Sequence, residues 1–283
     1  MPVGIRADRS GDVMANQEYE TICSRVREWV REVGVLARER QGRAVASRKA
    51  DRSVVTDIDH AVQDILLERI GRDFPADAAI TEETQKAPGR HAAVGSAARC
   101  WVIDPIDGTR NYARGFPLFT ISVGLMEAGR PVLGVIHNPM TGNMYSAFAG
   151  GGAWLDGAPM AAVDRPMSGS TIIGVPSARE APLPGIMHRW MDRMVLRNTG
   201  STALHLALVA SGAMDAACSD DCRLWDIAAG AVIASEAGAI FVRPTGEPHF
   251  PMDLASYTDQ NVPFIVAGPA LAAALVAEYQ AAI

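Results

Sequence analysis

Across residues 14–40 the apolar positions Tyr19, Ile22, Val26, Trp29, Val30 and Val33 recur at three-and-four spacing among charges. That period predicts an amphipathic helix with one face on a core. A polar stretch through Lys49, Asp51 and Arg52 leads to Val54-Val55-Thr56. Ala61, Val62, Ile65, Leu66 and Ile70 then predict a second helix, for which Thr56 is a natural N-cap. Ala79-Ile80-Thr81 and Cys100-Trp101-Val102-Ile103 read as short buried strands, each running directly into acidic residues. A hairpin is expected over 118–126 and 131–137, with a further strand at 144–149. The first half thus reads as antiparallel sheet with helices. Past the glycines Gly150, Gly151, Gly152 and Gly157, a strand at Thr171-Ile172-Ile173 and another ending at Arg197 alternate with helices at 186–194, 201–211 and 225–237. That alternation is α/β. Two halves are expected, residues 1–155 and 156–283.

Composition narrows the class. A chain of 283 residues with 48% hydrophobic content can bury a large core without staples. Twenty-six Lys+Arg against 32 Asp+Glu give a net charge of −6, so there is no global basic field for nucleic acid. Cys23, Cys100, Cys218 and Cys222 are scattered, and the last two lack CxxC spacing, which suits reduced thiols in a cytoplasmic protein. Residues 1–11 carry Arg6, Asp8 and Arg9 and no apolar stretch of signal-peptide length. The most apolar late stretch, 227–241, is too short to span a bilayer and is broken by Glu236 and glycines. Neither a membrane nor a nucleic acid is expected as partner.

The strongest chemical signal is Trp101-Val102-Ile103-Asp104-Pro105-Ile106-Asp107-Gly108-Thr109, a hydrophobic strand that ends in two carboxylates with Gly and Thr behind them. Oxygen-only ligands at this density suit Mg²⁺, which prefers carboxylates plus water and substrate phosphate. Gly108 would let backbone approach a phosphate, and Thr109 adds an N–H if it begins a helix. An ordinary turn also uses Asp, Pro and Gly. The Asp-x-x-Asp spacing does not match the Asp-x-Asp-Gly-Thr strand end of phosphatases with an aspartate nucleophile. Three further acidic stations are Thr56-Asp57-Ile58-Asp59, Thr81-Glu82-Glu83-Thr84 and Leu224-Trp225-Asp226-Ile227. Each also fits a structural role: a variant capping box, a solvated loop, and the first turn of a helix. His60, His91, His137, His188, His205 and His249 form no zinc spacing, and no G-x-x-x-x-G-K-[ST] loop or G-x-S-x-G elbow is present.

Taken in order, the stations resemble the inositol monophosphatase family of Li⁺-sensitive phosphatases over nearly the whole chain. The likeness extends to Gly134-Val135-Ile136 with Asn138-Pro139, to the glycines before Ala153, and to Arg197 with Gly200-Ser201-Thr202-Ala203. It implies an α/β (α+β) fold in α-β-α-β-α layers, with an antiparallel sheet in the first half, a mixed sheet in the second, and metals at their junction. It also implies a phosphatase that takes a small phosphorylated metabolite, and a homodimer. By the same resemblance Glu82, Asp104, Asp107 and Asp226 ligate Mg²⁺, helped by the Ile106 carbonyl and Thr109, with two or three ions assembling with substrate. Glu82 would sit against the nucleophilic water. Asp59 would hydrogen-bond Thr109, so that the pair takes up a proton as water attacks. Gly108 and Thr109 N–H groups would hold phosphate oxygens, and Lys49 would shape the nearby field or stand as an ordinary surface lysine.

The alcohol part of the substrate is implied to lie against Gly200, Ser201, Thr202 and Ser219. Ser219 stands where inositol-directed relatives commonly have a sugar-binding glutamate. Asp220 and Asp221 are near enough to substitute, and equally fit exposed loop charges. The Lys49-Ala50-Asp51-Arg52-Ser53 stretch also looks like members acting on histidinol phosphate or on 3′-phosphoadenosine 5′-phosphate, with Ser53 replacing an aspartate of the animal inositol enzymes. A bisphosphate substrate would call for extra basic residues over the pocket, and Arg110 or Arg223 could serve.

Overall fold

The structure is a computed structural model that describes residues 9–43, 46–48, 54–84, 94, 97–176 and 185–282. Lys49, Ala50, Asp51, Arg52 and Ser53, to which the sequence reading assigns field and substrate roles, lie outside the described residues.

Helix α1 (Arg9–Arg40) and helix α2 (Asp57–Asp73) form the first layer. From α1, Ile22, Val26, Trp29, Val30 and Val33 are buried on the periodic face, and Val62, Leu66 and Ile70 join them from α2. Between the helices, β1 (Ala46–Arg48) and β2 (Val54–Thr56) pair as a small antiparallel ribbon. The layer covers a seven-stranded sheet of β3 (Ala78–Thr81), β4 (Arg99–Asp107), β5 (Thr120–Glu127), β6 (Arg130–His137), β7 (Met144–Phe148), β8 (Ala153–Leu155) and β9 (Ala158–Met160), paired in that order. Its later pairs are antiparallel, as expected, but β3 and β4 run parallel. The first-half sheet is therefore not wholly antiparallel. The connection over 82–98 is long enough for the crossover that a parallel pair needs.

The second sheet is mixed and ordered β11-β10-β12-β14-β13, from β10 (Ile172–Gly174), β11 (Val195–Arg197), β12 (Ala216–Ser219), β13 (Ile240–Val242) and β14 (Phe264–Ala267). Strands β10, β11 and β12 are parallel, while β14 runs against β12 and β13. Helices α5 (Thr202–Ala210) and α6 (Leu224–Glu236) fill the space between the sheets, and nearly every side chain on them is buried. Their composition, apolar all round, fits a helix enclosed on both sides. Helices α4 (Gly185–Met191) and α7 (Pro269–Gln280) close the outer face of the second sheet through Trp190, Met187, Leu271 and Leu275. The result is the expected α-β-α-β-α layering. Among the described residues, no helix is long and apolar enough to cross a membrane.

Helix α6 lies unusually close to the first sheet. A Cβ on Gly134 would fall 2.4 Å from the Ala229 carbonyl oxygen, and one on Gly124 would fall 3.0 Å from the Ala229 nitrogen. Two glycines on adjacent strands thus cut the seat into which α6 settles, and that seat sets the height of its first turn over β4.

Candidate metal and phosphate site

Strand β4 is a hydrophobic run buried on both faces, and its end carries the chemistry. Side chains three apart on a regular strand face opposite sides. Pro105 has no N–H to donate to the ladder, and the pairing of β4 with β5 shifts register between Asp104 and Asp107. The bulge turns both carboxylates toward one place, with Asp104 Oδ1 accepting the Ile106 N–H at 3.0 Å. Gly108 follows with φ of +98°, a left-handed conformation that favours glycine, and caps helix α3 (Thr109–Ala113). A Cβ there would also press on the carbonyls of Leu118 and Gly200, at 3.1 and 3.2 Å.

Asp226 comes from the other half of the chain, in the first turn of α6, with Oδ2 accepting the Arg223 N–H at 2.7 Å. Carboxylate oxygens of Asp104, Asp107 and Asp226 lie within 4.8 Å of one another. Asp107 Oδ2 accepts from Ser201 Oγ at 2.7 Å and from the Ala203 N–H at 2.6 Å, which ties β4 to the N-terminus of α5. Burial first, then repulsion from Glu82, Asp107 and Asp226, pushes the Asp104 carboxyl well above the usual range. Asp226 is raised by burial and then by Asp107. Asp107 is raised by burial to about 6, against the pull of its Ser201 and backbone donors. None of the three pairs with a Lys or Arg among the described residues. Clustered, buried carboxylates without a cationic side chain are unfavourable unless protonated or offset by a cation. Their hard oxygen donors fit a divalent ion of the Mg²⁺ class. The cluster could therefore hold metal.

Glu82 opens the 3₁₀ turn Glu82–Thr84 after β3 and is half-buried, close enough to raise both Asp104 and Asp226. Asp59 is fully buried at the start of α2. Its Oδ2 accepts from the Thr56 N–H at 2.9 Å and from the Thr56 hydroxyl at 2.5 Å. Its Oδ1 faces Thr109 Oγ at 3.2 Å, and the same hydroxyl lies 3.0 Å from the Ile106 carbonyl. Burial, moderated by the Thr56 donors, raises the Asp59 carboxyl to about 6.

The residues assigned to the alcohol part divide. Gly200, Ser201 and Thr202 adjoin the cluster through Asp107 and Gly108. Ser201 is the N-cap of α5, accepting from the Leu204 N–H at 3.1 Å and contacting Thr120 Oγ at 3.1 Å. Ser219 is buried at the end of β12, where its Oγ accepts the Asp221 N–H at 3.2 Å. Asp220 and Asp221 are half-buried. Cys218 and Cys222 are buried and outside any disulfide.

Three supporting residues escaped the sequence reading. Asn111 Nδ2 donates to the carbonyls of Leu118 and Thr199, at 2.5 and 2.7 Å, and so fastens α3 to the loop before α5. His205 Nε2 accepts the Thr199 N–H at 3.0 Å, and burial holds its imidazole neutral, near 4. Ser122, buried on β5, stands opposite Asp104. A serine inside the apolar run Ile121–Leu125 was the available signal for it.

Comparison with known proteins accords with the geometry. The profile of the inositol monophosphatase family matches residues 18–281. The inositol-1-monophosphatase of Bacillus subtilis is 30% identical over 234 residues, 78% of this chain and 85% of that protein. The Nus factor SuhB of Escherichia coli is 33% identical over 207 residues, 71% and 76%. Among solved structures, the IMPase of Thermotoga maritima superposes with a TM-score of 0.80 at 27% identity, covering 92% of this chain and 96% of that one. A family profile matched almost from end to end, on a fold shared with solved members, means that this chain belongs to the inositol monophosphatase family.

Proposed function

We propose that the chain is a Mg²⁺-dependent phosphatase that hydrolyses a small phosphate monoester to its alcohol and inorganic phosphate by direct attack of water. The observation that carries this is the gathering of Asp104 and Asp107, buried, with the half-buried Asp226, none paired with a Lys or Arg among the described residues, beside the Gly108-Thr109 turn. Glu82, Asp104, Asp107 and Asp226, with the Ile106 carbonyl and Thr109, would hold two or three Mg²⁺ ions. When bound, the ions would lower the pKa of a water and offset charge on the phosphate and the leaving alkoxide.

The chain's own groups supply the rest. N–H groups of Gly108 and Thr109, at the start of α3, would take phosphate oxygens. Thr109 has one hydroxyl hydrogen and two acceptors within reach, Asp59 and the Ile106 carbonyl. With Asp59 as acceptor, the Thr109 oxygen presents its lone pairs to an attacking water, and the proton moves through the hydroxyl to the Asp59 carboxylate. A carboxyl raised by burial to about 6 suits that exchange near neutral pH. Glu82 is the second candidate base. Gly200, Ser201, Thr202 and Ser219 would line the space for the alcohol. An inositol-type monoester is the first choice; histidinol phosphate, 3′-phosphoadenosine 5′-phosphate or a sugar bisphosphate are the alternatives.

The test is phosphate release, with and without Mg²⁺, from myo-inositol 1-phosphate, histidinol phosphate, fructose 1,6-bisphosphate and 3′-phosphoadenosine 5′-phosphate. Mg²⁺-dependent release from one of them is expected. The relatives named Nus factors favour a second reading, a regulatory protein that binds metal and phosphate without turnover. Mg²⁺ binding with no release from any of the four would favour it.

A further inference from the structure

Ser122 is completely buried on β5, and its hydroxyl has no hydrogen-bond partner among the described residues. Buried polar groups in a well-packed protein are nearly always satisfied, so an orphan hydroxyl calls for a cause. Its position supplies one. Ser122 is the direct cross-strand partner of Asp104, and such a pair shares a face of the sheet. That face is the one against α6, because Gly124, two residues along β5, abuts Ala228 and Ala229. Asp104 approaches Asp226, from the first turn of α6, to within 4.8 Å between carboxylate oxygens. The orphan hydroxyl therefore faces the same side of the sheet as the Asp104 carboxyl, toward the helix that carries Asp226.

Asp104 has one oxygen held by the Ile106 N–H at 3.0 Å, and its carboxylate lies with an oxygen within 4.8 Å of oxygens of Asp107 and Asp226. A carboxylate that serves a cation with one oxygen is fixed in orientation by a donor to the other. Ser122 can provide that donor from across the strand pair. We propose that Ser122 is a positioning residue of the cation site: its hydroxyl, unpartnered in the metal-free protein, donates to the Asp104 carboxylate in the metal-bound protein and orients it toward the metal. This rests on the proposed function, and specifically on Asp104 as a metal ligand.

The two states give effects of opposite sign. Ser122→Ala removes an unsatisfied buried hydroxyl from the metal-free protein, whose melting temperature should stay level or rise. The same change removes the donor to a metal ligand, so Mg²⁺ affinity should fall about 10-fold, the usual scale for outer partners of metal ligands. Ser122→Cys keeps a weak donor and should fall between wild type and Ser122→Ala. The experiment is titration of Mg²⁺ alone into the metal-free proteins by calorimetry, with melting temperatures recorded in EDTA. Weaker Mg²⁺ binding by Ser122→Ala with an undiminished metal-free melting temperature is the expected result. Unchanged affinity would overturn the inference while leaving the proposed function standing, as would weaker affinity with a metal-free melting temperature lowered by several degrees, the mark of a purely structural role. Failure of the wild-type protein to bind Mg²⁺ would overturn both.

Discussion

Asp59 and Asp226 each hold a helix start and face the site as well. Asp59 accepts from Thr56 with one oxygen and reaches Thr109 with the other; Asp226 secures the start of α6 and keeps a carboxylate oxygen within 4.8 Å of those of Asp104 and Asp107. The structural roles suggested for these positions are thus present alongside the chemical geometry. Without metal, burial raises Asp59 and Asp107 to about 6, above the usual unfolded value near 4. The folded state then binds more protons than the unfolded state across that window. Their contribution to stability is complete below about pH 4 and is lost as pH rises through about 6. Bound Mg²⁺ offsets the same charges. The gap in melting temperature between Mg²⁺ and EDTA should accordingly widen from pH 5 to pH 8, and differential scanning fluorimetry would show it; a gap independent of pH would contradict this account. The acidic stations were legible in the sequence because their residue types stand out at strand ends. Ser201 and His205 were less so, since their work on Asp107 and the Thr199 N–H depends on a juxtaposition of distant segments.

At the scale of elements, the bulge in β4 and the seat of α6 do most to assemble the site. Gly134→Ala would drive a methyl group into the Ala229 carbonyl, and overpacking of this kind costs about 1–3 kcal/mol. Lifting α6 also moves Asp226 away from Asp104. A lower melting temperature and weaker Mg²⁺ binding should therefore appear together, whereas normal Mg²⁺ affinity in a destabilised protein would show that the seat does not set the site. Both flanking helices of the first layer were readable from their apolar period, and the hairpin of β5 and β6 from its turn. Strand β12, sequence AACS, has no β-branched residue, and α7, rich in alanine, shows little contrast between its faces; neither was anticipated. The short hairpin of β8 and β9 was hidden by its glycine-rich approach. The parallel pairing of β3 with β4 depends on a crossover, which no local pattern encodes.

Across the whole molecule, the site exists only where the two sheets meet. Glu82, Asp104 and Asp107 come from the first sheet, Asp226 from α6 between the sheets, and the Gly200 loop from the edge of the second. The parallel strands β10, β11 and β12 direct their C-terminal ends, with the loops after Gly174, Arg197 and Ser219, to one edge, the usual place for a ligand in such a sheet. Motif order along the chain pointed to this convergence, while its distances required the fold. Removing one ligand should forfeit about 3 kcal/mol or more of charge stabilisation, roughly 100-fold in rate. The most direct measurement is phosphate release from the best substrate of the four across a Mg²⁺ titration, by the wild-type chain and by Asp104→Asn, with circular dichroism of both. Saturable Mg²⁺-dependent release by the wild type, lost about 100-fold or more in a folded Asp104→Asn protein, is the predicted result. Equal release by the two proteins, or release that persists in EDTA, would contradict the account.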